Sequence, residues 1–288
     1  MDLKIITEEI REILENKREE FQLTFEEESH KYTMTNLNGQ LTDHWPSVSK
    51  VMKLFYDEFP SEEKAFEMSN GDPEKTEELL NEWKHAGEYS TNMGSRVHFI
   101  LEKHSLEMFD YNKIVREPIF NCDAIQITKS DSMIFAGKNF LELMKNRGAY
   151  LIDTEIVLGD PELGYVGQGD TCWLVENKDK TGLGLIITDY KTNKEKNFLV
   201  QKYIKPMRPP FEYLPNNALG HYKTQLPLYG KLLLKMLKGT KYENIELLGC
   251  IIVRLTDDRE FIEYRIDKHT INTILEMDIT PMLTKLEK

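Results

Sequence analysis

The pattern of apolar and polar residues changes its period near residue 149, which separates a helical part of the chain from a strand-rich part. Before this point, apolar residues recur at helical spacing in three ranges, 5–20, 61–105 and 132–146. Residues 21–45 alternate and contain an Asn-Leu-Asn-Gly turn, which predicts a hairpin, and Ser47 is the expected N-cap of a short helix. We therefore expect a helical N-terminal portion with one hairpin.

After residue 149 the pattern predicts mainly strands. Apolar runs bounded by turn residues occupy five ranges, 149–159, 165–176, 183–191, 245–255 and 260–266. Helices are expected between the third and fourth run, at 217–238, and again from about 268. This order predicts an α/β fold with a mixed central β-sheet flanked by helices. We divide the chain into a helical and hairpin region, residues 1–92, packed on a core formed by residues 93–288.

Composition narrows the class of protein. The chain has 288 residues, of which 40% are apolar, so it can fill a core, and no apolar run approaches the ~20 residues of a membrane span. The three cysteines are far apart and cannot supply the four ligands of an iron–sulfur cluster. The N-terminus is acidic and amphipathic, unlike a secretion signal. We expect an intracellular, cytoplasmic protein with no membrane partner and no iron–sulfur cluster.

Charge is distributed unevenly along the chain. The net charge is -12, but residues 191–241 carry eleven Lys or Arg against two acids, so this stretch is +9 and the remainder is -21. A local basic patch decides where an anion docks, whatever the net charge. The stretch therefore predicts an anion-binding surface, with an ordinary solvated surface as the alternative.

Acidic residues occur inside or at the end of three predicted strands. Asp189 and Lys191 close one apolar run, and their spacing places them on the same face of the strand. Asp170 follows a Gly-Gln-Gly sequence on the preceding strand, and Glu155 lies within another apolar run. Acids on neighbouring strands make an oxygen-rich site that suits Mg²⁺ or Mn²⁺ rather than zinc. The alternative is that each acid is a solvated residue of a strand face.

Two helical pairs complete the set of candidate residues. His98 and Glu102 lie one helical turn apart on one face, with Gly94 on the same side. Gln225 and Tyr229 share a face of the predicted helix at 217–238, and both can form hydrogen bonds. Each pair taken alone is equally typical of an ordinary helix.

The ordered set of Gly-x-x-x-His-x-x-x-Glu, a strand Glu, Gly-x-Asp, Asp-x-Lys and Gln-x-x-x-Tyr resembles the PD-(D/E)xK nuclease superfamily, in particular its RecB-like branch, which includes mitochondrial and phage exonucleases. The resemblance covers about residues 45–230 and implies a restriction-endonuclease-like fold. It implies that one or two Mg²⁺ or Mn²⁺ ions are bound by His98, Asp170, Asp189 and the carbonyl of Tyr190. It further implies that Lys191 orients the attacking water and that Gln225 supports the site. Glu102 and Glu155 are interpreted as ligands of a second ion or as supports of the first.

The function implied by the resemblance is a metal-dependent DNA exonuclease that acts on DNA ends or single strands in replication, recombination or repair. The basic segment would contact the nucleic acid, and the residues expected to do so are Lys194, Lys196, Lys202, Tyr203, Lys205, Arg208 and Tyr229, with Phe211 and Tyr213 as further stacking residues. Two alternatives stay open: an RNA endonuclease of the cap-snatching type, and a catalytically silent nucleic-acid-binding module. Lys outnumbers Arg, which is typical of an AT-rich genome such as that of a phage or virus.

Overall fold

The first half of the chain is mainly helical. A computed structural model describes residues 2–27, 29–177, 182–199 and 205–286. Its first elements are α1 (Leu3–Glu20), β1 (Thr24–Glu26), β2 (Lys31–Thr35), β3 (Leu41–Thr42), α2 (Val48–Val51) followed by a 3-10 turn (Met52–Phe55), α3 (Ser61–Met68), α4 (Pro73–Met108) and α5 (Ala124–Asn146). The three short strands form one antiparallel sheet, which confirms the predicted hairpin and adds one strand to it.

Side-chain caps explain where these helices begin. The Ser47 side chain accepts a hydrogen bond from the backbone N–H of Lys50, as the sequence predicted. Asp123 begins α5 and forms a capping box with Gln126. This helix therefore starts eight residues earlier than the predicted residue 132. Its first turns are largely exposed, so apolar periodicity did not reveal them.

The second half of the chain forms the central sheet and the helices that cover it. The elements are β4 (Tyr150–Asp160), β5 (Tyr165–Glu176), β6 (Leu183–Lys191), α6 (Glu195–Phe198), α7 (Ala218–Leu237), β7 (Glu246–Leu255), β8 (Phe261–Arg265), α8 (Lys268–Glu276) and α9 (Thr280–Leu283). In this part of the described chain the strand order is β4-β5-β6-β7-β8. The pair β6 and β7 is parallel, and the other pairs are antiparallel. A parallel pair needs a crossover connection, which contains α7 here.

Apolar layers cover both faces of the central sheet. On one face, α1, α2, α7 and α8 pack against alternate residues of the strands, such as Leu185 and Ile187 of β6. On the other face, α4 and α5 pack against the intervening residues, such as Ile186 and Tyr190. The sheet therefore has helices on both sides, and the α/β class with a mixed sheet flanked by helices is confirmed.

The N-terminal region is not separate from the core. Ile10 and Leu14 of α1, with Val51 and Phe55, belong to the same apolar cluster as the central strands. α4 runs continuously through the boundary drawn at residues 92 and 93. No helix in the described ranges combines the length and the apolar character that crossing a membrane requires.

Candidate metal centre

Three acidic residues meet where β4, β5 and β6 lie side by side. The register that pairs Thr171 with Thr188 brings Asp170 opposite Asp189 one residue further on. On the other side of β5, the pairs that flank Glu155 place it opposite Asp170. Glu155 has a φ of 46°, a left-handed value that non-glycine residues seldom adopt. The three predicted strand acids are therefore neighbours, and the backbone of one of them is strained.

α4 brings His98 onto this group of acids. Its Nδ1 atom lies 3.2 Å from Asp170 Oδ2 and 3.8 Å from Glu155 Oε1. Its Nε2 atom lies 3.0 Å from the carbonyl oxygen of Tyr190. Asp170 Oδ2 also accepts a hydrogen bond from the Tyr190 backbone N–H at 2.9 Å. His98 thus connects the helix to all three strands.

The surroundings of His98 favour its protonated form. Both ring nitrogens face oxygen atoms that only accept hydrogen bonds, which is the arrangement an imidazolium satisfies. Burial alone would lower the pKa of His98, but the carboxylates of Asp170 and Glu155 raise it to about 9. Without a metal, the imidazolium is therefore the cation that holds these two acids together.

The same side chains could also hold a metal ion. One donor atom each from His98, Glu155 and Asp170 lies within 4.8 Å of the other two. Two carboxylates and one imidazole, with the Tyr190 carbonyl oxygen beside them, form a donor set that suits Mn²⁺ or Mg²⁺. The residues present therefore fit the predicted ion. Asp189 lies outside this three-donor group, and its role as a ligand stays a prediction.

Lys191 and Asp189 form a buried ion pair next to this group. Lys191 Nζ lies 2.7 Å from Asp189 Oδ1, and both side chains are largely buried. Burial and the neighbouring Asp170 raise the pKa of Asp189 well above its usual range. Burial alone would lower the pKa of Lys191, but Asp189 and Asp170 raise it. The ammonium also lies 4.3 Å from the ring centroid of Tyr222, a residue that sequence reasoning missed although it stands one turn before Gln225.

The Gln225 and Tyr229 pair lies beneath the sheet. Gln225 Nε2 donates a hydrogen bond to the Tyr229 hydroxyl at 3.2 Å. The Tyr229 ring is buried against β5, where a Cβ added at Gly167 would stand 2.7 Å from its Cε1 atom. The two glycines before Asp170 therefore make room for Tyr229. This burial leaves the Tyr229 ring no exposed face for a nucleic acid, contrary to the predicted contact, and gives it a packing role.

Glu102 has a different partner from the one the sequence suggested. Its Oε1 atom lies 3.8 Å from Lys113 Nζ, which also donates to Asp153 Oδ1 at 3.0 Å. Burial and the charge of Glu155 raise the pKa of Glu102 to about 7, although Lys113 opposes the shift. Glu102 lies outside the three-donor group, and Lys113 is a residue that no sequence motif indicated.

A cleft of about 710 Å³ opens onto these residues. Its floor includes His98, Glu155 and Lys191, and its walls are formed by α4, by the segment 115–120 and by Tyr222. The candidate centre is thus accessible from one side and packed against the sheet on the other.

The basic segment is only partly described. Lys194, Lys196 and Lys205 are exposed, as a nucleic-acid contact requires. Arg208 is also exposed, but its guanidinium donates to Asp57 Oδ1. Two of the predicted contact residues, Lys202 and Tyr203, lie outside the described residues.

The aromatic residues that follow this segment differ from each other. Phe211 is fully buried and packs edge-on against Phe55, so the prediction that it stacks on bases is wrong. Tyr213 is exposed, and its hydroxyl lies 2.9 Å from Thr270 Oγ1.

Comparison with known proteins finds no relative. No protein-family model matches the chain, and no curated protein matches it. Functional conclusions therefore depend on the geometry of the site and on the motifs in the sequence.

Proposed function

We propose that this chain is a metal-dependent nuclease that hydrolyses phosphodiester bonds in DNA, acting on ends or single strands as an exonuclease. The observation that carries the proposal is the meeting of His98, Glu155 and Asp170 beside the ion pair of Asp189 and Lys191 at the floor of one cleft. These residues come from one helix and three strands. The proposal includes a restriction-endonuclease-like arrangement of the mixed sheet, as the motif order suggests.

His98, Glu155 and Asp170 would hold the divalent ion, Mg²⁺ or Mn²⁺. A bound divalent ion supplies charge neutralisation at the phosphate and acidifies a water molecule. The protein holds the ligands in place through the Asp170 hydrogen bond to the Tyr190 N–H and through the packing of α4 on the sheet. Because the ligands belong to rigid elements, little reorganisation is needed during the reaction.

Lys191 supplies a fixed positive charge. Asp189 holds its ammonium on one side, and the face of Tyr222 lies on the other. A cation held in this way stabilises the negative charge that develops on a phosphate during hydrolysis. In this proposal Lys191 also orients the attacking water, and Gln225 supports the site through Tyr229.

The substrate class follows from the charge distribution. Residues 191–241 carry a charge of +9 in a chain with a net charge of -12, and they begin at Lys191. Exposed lysines next to the cleft suit phosphate oxygens, which dominate the affinity of nucleic-acid binding. The acidic remainder of the chain would repel a polyanion, so the DNA would approach from the basic side.

Labelled oligonucleotides test this function. Single-stranded DNA, double-stranded DNA and RNA, each labelled at the 5′ or the 3′ end, would be incubated with Mg²⁺, with Mn²⁺ or with excess chelator. We expect stepwise shortening of DNA only when a divalent ion is present. Asp170→Asn and Lys191→Met are each expected to lower the rate by roughly 100-fold or more while thermal unfolding stays cooperative.

Matched variants separate a loss of chemistry from a loss of fold. Asp258→Asn changes an exposed acid in the turn between β7 and β8, and Lys268→Met changes an exposed lysine at the start of α8. Both are expected to keep the wild-type rate. Hydrolysis in excess chelator, or a wild-type rate in Asp170→Asn, would contradict the proposed centre. Cleavage of RNA but not DNA would retain the centre and change the substrate.

A further inference from the structure

Lys113 reaches into the sheet beside the candidate metal centre. It belongs to the segment 111–123, which connects α4 to α5 without a helix or strand of its own. Its ammonium donates hydrogen bonds to Asp153 Oδ1 and to the carbonyl oxygen of Thr154, and it lies 3.8 Å from Glu102 Oε1. Two carboxylates and one backbone carbonyl therefore converge on a single ammonium group.

This group of oxygens is joined to the centre through Glu155. The Glu155 carboxylate faces His98, while the carbonyl of the preceding residue, Thr154, accepts the hydrogen bond from Lys113. Glu155 also has the left-handed φ of 46°, a conformation that persists only where its surroundings hold it. Asp153 contributes by accepting a hydrogen bond from the Thr154 N–H at 2.8 Å. Lys113 thus holds the backbone at the point where Glu155 turns toward the centre.

The oxygens around Lys113 are those that a divalent cation would select. Two carboxylates and a carbonyl oxygen are typical ligands of hard cations such as Mg²⁺ and Mn²⁺. In two-metal hydrolytic sites the second ion lies about 3.5–4 Å from the first, so its ligands neighbour those of the first ion. Glu102 and Glu155 line the same cleft here. The ammonium therefore stands among ligands that would suit a second ion.

We propose that Lys113 takes the place of a second cation and positions Glu155, so that this chain binds a single divalent ion. The inference rests on the proposed function, because it assumes a first ion at His98, Glu155 and Asp170. An ammonium that is hydrogen-bonded to Asp153 and Thr154 fills the space and compensates part of the negative charge. Removing this ammonium would leave Glu102 and Asp153 without a cation and open to an added ion.

The number of bound ions tests this inference without any turnover. Mn²⁺ would be titrated into the full chain without nucleic acid, and binding would be followed by calorimetry and by the electron paramagnetic resonance signal of free Mn²⁺. We expect one ion per wild-type chain and two per chain in Lys113→Met. Lys103→Met is the matched control, since Lys103 is the exposed neighbour of Glu102 on α4 and lies over the Phe99 ring. It is expected to bind one ion.

A second variant identifies the ligands of the added ion. Adding Glu102→Gln to Lys113→Met removes one carboxylate, and the count is expected to return to one. If Lys113→Met unfolds without metal because two buried acids repel, Mn²⁺ is expected to restore its cooperative unfolding, since a ligand that binds only the folded state stabilises it.

The outcomes distinguish this inference from the proposed function. A folded Lys113→Met that binds one ion, a wild type that binds two, or an unfolded Lys113→Met that Mn²⁺ does not restore would each overturn the role of Lys113. These results would leave the first ion in place. A wild type that binds no Mn²⁺ would instead remove the centre on which the proposed function rests, and this inference with it.

Discussion

The charge state of His98 gives a prediction that holds before any metal is added. Its pKa lies at about 9 in the folded chain, against an ordinary value of 6.5, because Asp170 and Glu155 outweigh the effect of burial. A raised folded-state pKa stabilises the protein fully below pH 6.5, and this contribution is lost as the pH rises through 9. With ~1.4 kcal/mol for each pH unit, the contribution amounts to roughly 3 kcal/mol.

The comparison of wild type with His98→Gln measures this contribution. The free energy of unfolding would be obtained from urea titrations in chelator at several pH values from 6 to about 9.5. We expect the wild type to lose roughly 3 kcal/mol relative to His98→Gln over this range. His85→Gln, an exposed position on the same helix, is the control and is expected to follow the wild type. Parallel curves for wild type and His98→Gln would refute the assignment of an imidazolium between the two acids.

Metal binding should show the opposite dependence on pH. A ligating imidazole must release one of its two protons, so each ion bound below pH 9 is expected to displace about one proton. The apparent affinity for Mn²⁺ then rises by about tenfold for each pH unit up to pH 9. Calorimetric titrations in buffers with different heats of ionisation count the protons. A heat of binding that is the same in every buffer would show that His98 does not lose a proton.

Three further predictions address packing, capping and substrate binding. Gly167→Ala is expected to destabilise the fold by ~2 kcal/mol in urea, because its Cβ would stand 2.7 Å from Tyr229 Cε1, whereas Gly249→Ala meets nothing within 4 Å and should cost much less. Asp123→Ala removes the capping box of α5 and is expected to cost ~1 kcal/mol in the same assay. Neutralising the exposed basic residues should lower the slope of log affinity against log salt by about 0.7 per lost contact with single-stranded DNA, measured in Ca²⁺, and an unchanged slope would assign them to an ordinary surface: Lys194, Lys196, Lys205 and Arg208.

Local signals were sufficient for most of the elements. The strands β4, β5 and β6 were predicted to within one or two residues because they are apolar runs closed by turn residues. Ser47 was identified as an N-cap because a cap depends only on residues within one turn. The start of α5 was missed since its signal is the Asp123 and Gln126 capping box rather than a buried apolar face.

The sequence also indicated which residue types belong to the site, but not all of their partners. The equal spacing of His98 and Glu102 predicted a shared role for the two residues. The structure separates them, because His98 reaches Asp170 whereas Glu102 meets Lys113 from an irregular segment. Phe211 likewise looked like a stacking residue by type and position, and it is buried against Phe55.

What the sequence determined by itself was therefore local: the apolar periods, the caps, the acids at strand positions and the basic stretch. Only the tertiary structure decided how α4 lies on the sheet, and that placement brings His98 within 3.0 Å of the Tyr190 carbonyl, 92 residues away along the chain. Only the structure shows the left-handed backbone at Glu155 and the ammonium of Lys113 that holds it. The physical reason is that period and capping energies act within a few residues, whereas contacts between distant residues depend on how whole helices and strands pack.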